Sequence, residues 1–143
     1  MENKYDALKL ENQLCFPLYA AAKEIVGKYH DVLEELNLTY TQYIVMMVLW
    51  NSHSINVKEL GKRVYLDSGT LTPLLKKLEN KRYIKRNRDK IDERNVFVSL
   101  TKEGIALKDK AINVPSTIGK CISLSLEEAK TLYSLLYKVL ENL

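Results

Sequence analysis

The 143-residue sequence predicts a mainly α-helical fold carrying one small β-hairpin. Three observations lead there. Apolar residues recur at steps of three and four near both ends: Leu18, Ala22, Ile25, Tyr29 and Val32 early, Leu132, Leu135, Leu136, Val139 and Leu140 late. Side chains able to cap a helix stand three residues before Gln or Glu at Thr39–Gln42, Asn56–Glu59 and Ser125–Glu128. Between 83 and 100 the period shortens to two, with Val96, Val98 and Leu100 alternating with Asn95, Phe97 and Ser99.

The elements follow in order. The first apolar seam gives a long helix over about 13–35, and Pro17 belongs in its first turn or two, because a proline well inside a helix costs about 3 kcal/mol. The caps at Thr39 and Asn56 open helices at about 40–52 and 57–63. Tyr65-Leu66-Asp67-Ser68 forms a turn, and a longer helix covers 69–81. On that helix Leu71, Leu74, Leu75 and Leu78 share an inward face, and Pro73 argues for a start near Ser68–Thr70. Strands at 83–88 and 95–100 are joined by the polar turn Asp89–Glu93. Thr101 caps a helix running to about 120 that Pro115 bends or interrupts, and Ser125 opens a last helix over 126–142.

Short helix, turn, longer helix and hairpin over 56–100 make a winged helix-turn-helix. The chain thus reads as one domain, 1–143. Residues 39–100 form a DNA-binding part with its wing at 83–100, and 1–38 and 101–143 supply helices whose seams are expected to bury against a second subunit. Charge agrees with this division. Residues 58–94 hold twelve Lys or Arg against six Asp or Glu, whereas the whole chain carries only +4. Concentrated positive charge is the footprint of a polyanion partner, here double-stranded DNA. Ser68, Thr70, Thr72 and Lys76 fall on the outward part of the longer helix, where hydroxyls can approach a groove and an ammonium can meet phosphate. Lys85, Arg86, Arg88, Lys90 and Arg94 populate the wing, and Asp92 is placed to brace the Arg94 guanidinium through a bidentate pair.

Other classes fall away. No apolar run approaches the roughly 18 residues of a membrane span, and the charged start MENKYDALKLENQ is unlike a secretory signal, so a cytoplasmic setting is expected. Two separated cysteines, Cys15 and Cys121, make neither a disulfide framework nor a metal site. His30 and His53 read as ordinary histidines, and no cofactor is implied. The absence of a C-x-x-C pair or a thioredoxin-type strand–helix order argues against a thiol peroxidase.

Two groups of residues carry a family resemblance. LDSGTLTPLLKKLENKRYIKR followed by DERNVFVSLTKEG resembles the MarR family of winged-helix regulators. LENQLCFPLYAAAKE together with LNLTYTQYIVMMVLW is similar to the OhrR-type branch, which senses organic hydroperoxides. The resemblance implies a homodimer that represses genes when reduced and leaves its operator when oxidised. It further implies that Cys15 is the peroxide-reactive thiol. Tyr29 and Tyr40 match tyrosines that hydrogen-bond this thiolate from the other subunit, and Tyr19 matches one near the pocket. In such regulators a late cysteine forms an intersubunit disulfide with the sensor, or a low-molecular-weight thiol completes the switch. Cys121 stands open between a resolving and an inert structural role. A MarR-type repressor released by a small phenolic or aromatic ligand is the alternative reading.

The residues bear on this chemistry directly. With Pro17 in the first turn, Cys15 lies at a helix N-terminus, where free backbone donors and the dipole favour a thiolate. Tyr19 stands one turn away. Tyr29 is fourteen residues on, about 21 Å along the axis, so it cannot reach its own Cys15, whereas a two-fold partner can deliver it.

Overall fold

The computed structural model describes residues 3–143. Two short 3-10 turns, Asp6–Leu8 and Leu10–Asn12, lead into α1 (Cys15–Glu34) and α2 (Tyr40–Ser52). A short strand β1 (Ser54–Asn56) precedes α3 (Val57–Val64) and α4 (Ser68–Asn80). The strands β2 (Ile84–Arg88) and β3 (Val96–Leu100) follow, then α5 (Lys102–Ala111), α6 (Val114–Gly119) and α7 (Leu126–Glu141). The winged helix-turn-helix order expected over 56–100 is present.

Capping chemistry sets most boundaries. The Gln42 amide donates to Thr39 Oγ1 at 3.3 Å, and the Thr39 amide to Gln42 Oε1 at 3.2 Å, closing a reciprocal box at the start of α2. Ser125 and Glu128 close the same box for α7. At α3 only half of the expected box forms. Asn56 Oδ1 accepts from the Lys58 amide at 2.8 Å, while Glu59 faces Arg63 at 3.4 Å instead of turning back. Asp67 caps α4 by accepting from the Thr70 amide at 2.8 Å, so Ser68 is the first helical residue and not the last residue of the turn.

Four further expectations are adjusted or made definite. The hairpin is part of a three-stranded antiparallel sheet in the order β1-β3-β2, with Ile55 opposite Val98 and Arg86 opposite Val98 on the other edge. The first helix begins at Cys15, because the Gln13 amide and side chain are committed to the preceding turns through Leu10 O, Ala7 O and Lys9 O. Pro115 takes an N-terminal position in a new helix, α6, so the segment after Thr101 is interrupted at Ile112–Asn113 and not merely bent. Pro73 sits inside α4, at its sixth residue. The helix continues through it because Leu71, Leu74, Leu75 and Leu78 hold the flanking turns in the core.

That core is built from α2 (Val45, Met46, Leu49), the four leucines of α4, Leu60 of α3, and one side chain from each strand: Ile55, Ile84 and Val98. Leu33, Leu107, Val114 and Ile118 extend it toward α1, α5 and α6. Trp50 donates its indole N–H to Gly104 O at 2.9 Å, docking α5 on α2. Only glycine fits at 104, since a Cβ there would collide with the Tyr83 carbonyl. The terminal arms differ. No residue of α7 is buried, and Leu33 is the only buried residue of α1. No described helix is long and apolar enough to cross a membrane.

Candidate nucleic-acid interface and thiol site

The two faces of α4 are cleanly divided. Its leucines are buried, while Ser68, Thr70, Thr72 and Lys76 are all exposed, as the helical period requires. A crevice beside the helix start is lined by Lys58 and Lys62 of α3 together with Tyr65, Asp67 and Ser68. Both lysines are exposed, so α3 adds two cations to the outward face that the sequence reading had not singled out.

The wing presents Lys85, Arg88, Lys90 and Arg94 to solvent. Arg94 is 92% exposed and meets Asp92 Oδ1 through Nε alone, at 3.2 Å. The expected bidentate pair is therefore a single contact, because the same carboxylate oxygen also accepts the Arg94 amide at 3.1 Å and closes the turn. An ion pair this exposed contributes only about 0–1 kcal/mol, so it orients the guanidinium more than it stabilises the fold. Arg86 has a different role from its wing neighbours. Its Nε donates to Glu79 Oε2 at 2.6 Å, tying β2 to the end of α4.

The thiol lies outside this face in sequence, at the start of α1. Cys15 is exposed and is the first residue of α1, whose N-cap position, Leu14, offers no side-chain acceptor. Its first-turn amides are thus left to other partners. Tyr19, one turn on, is 64% exposed. Tyr29 and Tyr40 come together with ring centroids 4.7 Å apart, and Tyr43 lies 5.8 Å from Tyr29. Desolvation, followed by the neighbouring tyrosines, raises the Tyr29 hydroxyl above the usual phenol range. Since α1 is continuous, Tyr29 remains about 21 Å along the axis from its own Cys15. The single chain therefore pairs Tyr29 with Tyr40 and holds both apart from the thiol. Cys121 follows α6, is exposed, and sits 3.7 Å from the Thr117 carbonyl. Among the described residues no group of three or more His, Cys, Asp or Glu could hold a metal ion.

One cluster was invisible in the sequence. Lys81, just beyond α4, donates to Asn37 O at 2.6 Å and to Gln42 Oε1 at 2.9 Å, reaching partners 44 and 39 residues away. Burial and the nearby charge of Lys77 pull its ammonium below the ordinary lysine range.

Comparison with known proteins places these features. Residues 28–111 match the family described as transcriptional regulator SarA/Rot. The organic hydroperoxide resistance transcriptional regulator of Bacillus subtilis (strain 168) is 49% identical over 143 residues, covering 100% of this chain and 97% of that protein. The HTH-type transcriptional regulator SarZ of Staphylococcus aureus is 48% identical over 129 residues, covering 90% and 84%. Among solved structures, reduced AbfR bound to DNA aligns with a TM-score of 0.81 at 30% identity, over 98% of both chains. AbfR, a protein of Staphylococcus epidermidis, has also been solved with its disulfide formed; that structure aligns at a TM-score of 0.70 and 29% identity, over 97% of this chain and 95% of that one. With the helix-turn-helix, the wing and nearly the whole length matched, the chain belongs to the SarA/Rot–MarR family of winged-helix transcriptional regulators, beside the organic hydroperoxide resistance regulator of Bacillus subtilis.

Proposed function

We propose that this regulator is a redox-switched repressor that binds operator DNA as a reduced homodimer and is released when organic hydroperoxides or related oxidants oxidise Cys15. The observation that carries this reading is the exposed first-turn thiol of α1, held far along the same helix from the Tyr29–Tyr40 pair, in a chain half identical to a hydroperoxide resistance regulator. An antiparallel two-fold partner brings the pair of one subunit to the thiol of the other. The exposed leucines of α1 and α7 supply apolar surface for that pairing, Leu18 at 44% and Leu135 at 55% exposure. In DNA, each α4 offers Ser68, Thr70, Thr72 and Lys76 to a major groove. Each wing offers Arg88 and Arg94 to a flanking minor groove, with Asp92 steadying Arg94 and Arg86 held back against Glu79.

The chemistry proceeds in two steps. The Cys15 thiolate attacks the terminal peroxide oxygen. The O–O bond breaks, the alkoxide leaves and takes up a proton as alcohol, and the sulfur becomes a sulfenic acid. A second thiol then attacks that sulfur, expelling its oxygen as water and forming a disulfide. Cys121 of the partner subunit or a low-molecular-weight thiol provides it, and a reducing cytoplasm resets the switch. Both reduced and overoxidised AbfR have been solved bound to DNA, which supports a switch in this chain that is completed by the disulfide and not by oxygen on the sulfur alone.

Gel-shift titration with cumene hydroperoxide tests the reading. Wild type leaves the operator and Cys15→Ser stays; release of the serine variant by peroxide removes Cys15 from the sensor role. Cys121→Ser separates the two completing thiols. It stays bound with peroxide alone and is released when a small thiol is added if the partner cysteine normally closes the disulfide.

A further inference from the structure

Between the tyrosine pair and the DNA-reading helix the structure holds a clasp. The segment Leu36–Gln42 runs from the α1–α2 connection into the first turn of α2, whose first residue is Tyr40. Three of its acceptors are taken by residues just after α4. The Lys81 ammonium bridges Asn37 O and Gln42 Oε1, and the Tyr83 hydroxyl donates to Leu36 O at 3.4 Å. Gln42 is only 3% exposed and is the one buried polar side chain among the described residues. Its oxygen serves two donors, the Thr39 amide that closes the α2 cap and the Lys81 ammonium. The cap that orients Tyr40 and the end of α4 therefore share one acceptor atom. From the same helix end, the Glu79–Arg86 pair continues to the wing strand.

We propose that Lys81 is a positioning residue that couples the Tyr29–Tyr40 pair to the recognition helix α4, so that displacement of the pair moves the DNA-reading head. The inference rests on the redox-switch reading above and adds the route by which the switch reaches DNA. Lysine suits the role because one ammonium with three donors can hold a carbonyl of one turn and an amide oxygen of the next helix at once. Partial withdrawal from water keeps these charge-assisted bonds less screened than a surface contact. A displaced α1–α2 segment must break them or carry the end of α4 with it.

The test uses the full chain and three readouts: operator Kd of the reduced protein, rate of Cys15 sulfenic-acid trapping, and the ratio of operator Kd after and before cumene hydroperoxide. Lys81→Met keeps the apolar stem and removes every donor; Lys81→Arg keeps charge and donors. The expected result is that Lys81→Met binds operator when reduced much as wild type does and oxidises at the wild-type rate. Its peroxide-dependent Kd ratio falls by about tenfold, and Lys81→Arg restores most of it. An unchanged ratio in Lys81→Met overturns the proposal. So does a fall explained wholly by weaker binding of the reduced form, which is the mark of a merely structural residue. If Lys81→Met melts below the assay temperature, Lys81→Gln, which can still donate to one acceptor, decides by the same ratio. A wild-type protein that peroxide fails to release sinks the redox reading itself, whereas normal release of wild type and of Lys81→Met sinks only the coupling.

Discussion

The winged head and the terminal arms are both rich in leucine, and they bury it to opposite extents. In the head, the four leucines of α4 interlock with α2, α3 and the sheet and are shut away from water. In the arms, α7 fully buries no side chain, and the start of α1 with its N-cap leaves Leu14, Phe16 and Leu18 exposed. The head completes its core within one chain. The arms carry the periodic apolar pattern of a packed helix without the partner that pattern requires, and the thiol lies on one of them. Under the proposed switch, reading and sensing are thus built on parts with different needs: the first on a closed core, the second on a second copy of the chain.

Substitutions can break this contrast on either side. The largest effect is expected in the head, where Leu78→Ala opens a cavity in a fully buried site and lowers unfolding free energy by about 2–5 kcal/mol, read by chemical denaturation. Next comes the wing. Arg94→Ala leaves the melting temperature almost unchanged, because its ion pair is exposed, yet weakens operator binding by about 1–3 kcal/mol in a low-salt titration. In the arms, Leu132→Lys with Leu135→Lys leaves the head folded but removes the concentration dependence of melting. For a wild-type protein that unfolds from the proposed dimer, that dependence amounts to about 1.4 kcal/mol per tenfold change in protein. Equal melting of wild type across concentrations makes the arms self-sufficient and dissolves the contrast. The smallest effect belongs to Glu103, fully exposed at the first turn of α5. Its backbone amide, then the Thr101 hydroxyl, hold the carboxylate below its ordinary range. A lowered folded-state value contributes stability above the ordinary carboxylate range that is lost as pH falls through the lowered value. Glu103→Gln should therefore melt slightly lower than wild type near neutral pH, and the gap should close in acid.

The head was also the more legible part of the sequence. Its helices announce themselves through local rules, a cap at Thr39 or Asp67 and a run of leucines at helical spacing, and local rules survive in one dimension. What was missed there depends on distant partners. β1 is three residues with no pattern of its own and exists because β3 pairs with it. Lys81 reads as one more basic residue until the fold brings Asn37 and Gln42 to it. Arg86 looks like Arg88 in sequence, and only packing distinguishes the brace to Glu79 from the free wing cation. In the arms, the periodicity and the distance between Cys15 and Tyr29 could be read directly, and in the proposed switch they belong to a site that two chains complete together.

That incompleteness is the central claim, and a mixed dimer tests it most directly. One subunit carries Cys15→Ser with its tyrosines intact, and the other carries Tyr29→Phe and Tyr40→Phe with Cys15 intact. If tyrosines serve the thiol across the two-fold, this heterodimer retains one whole site, and its single Cys15 should form trapped sulfenic acid at the wild-type rate although the tyrosine-deficient homodimer reacts slowly. A heterodimer that reacts as slowly as that homodimer would place the tyrosines and the thiol within one chain and contradict the account.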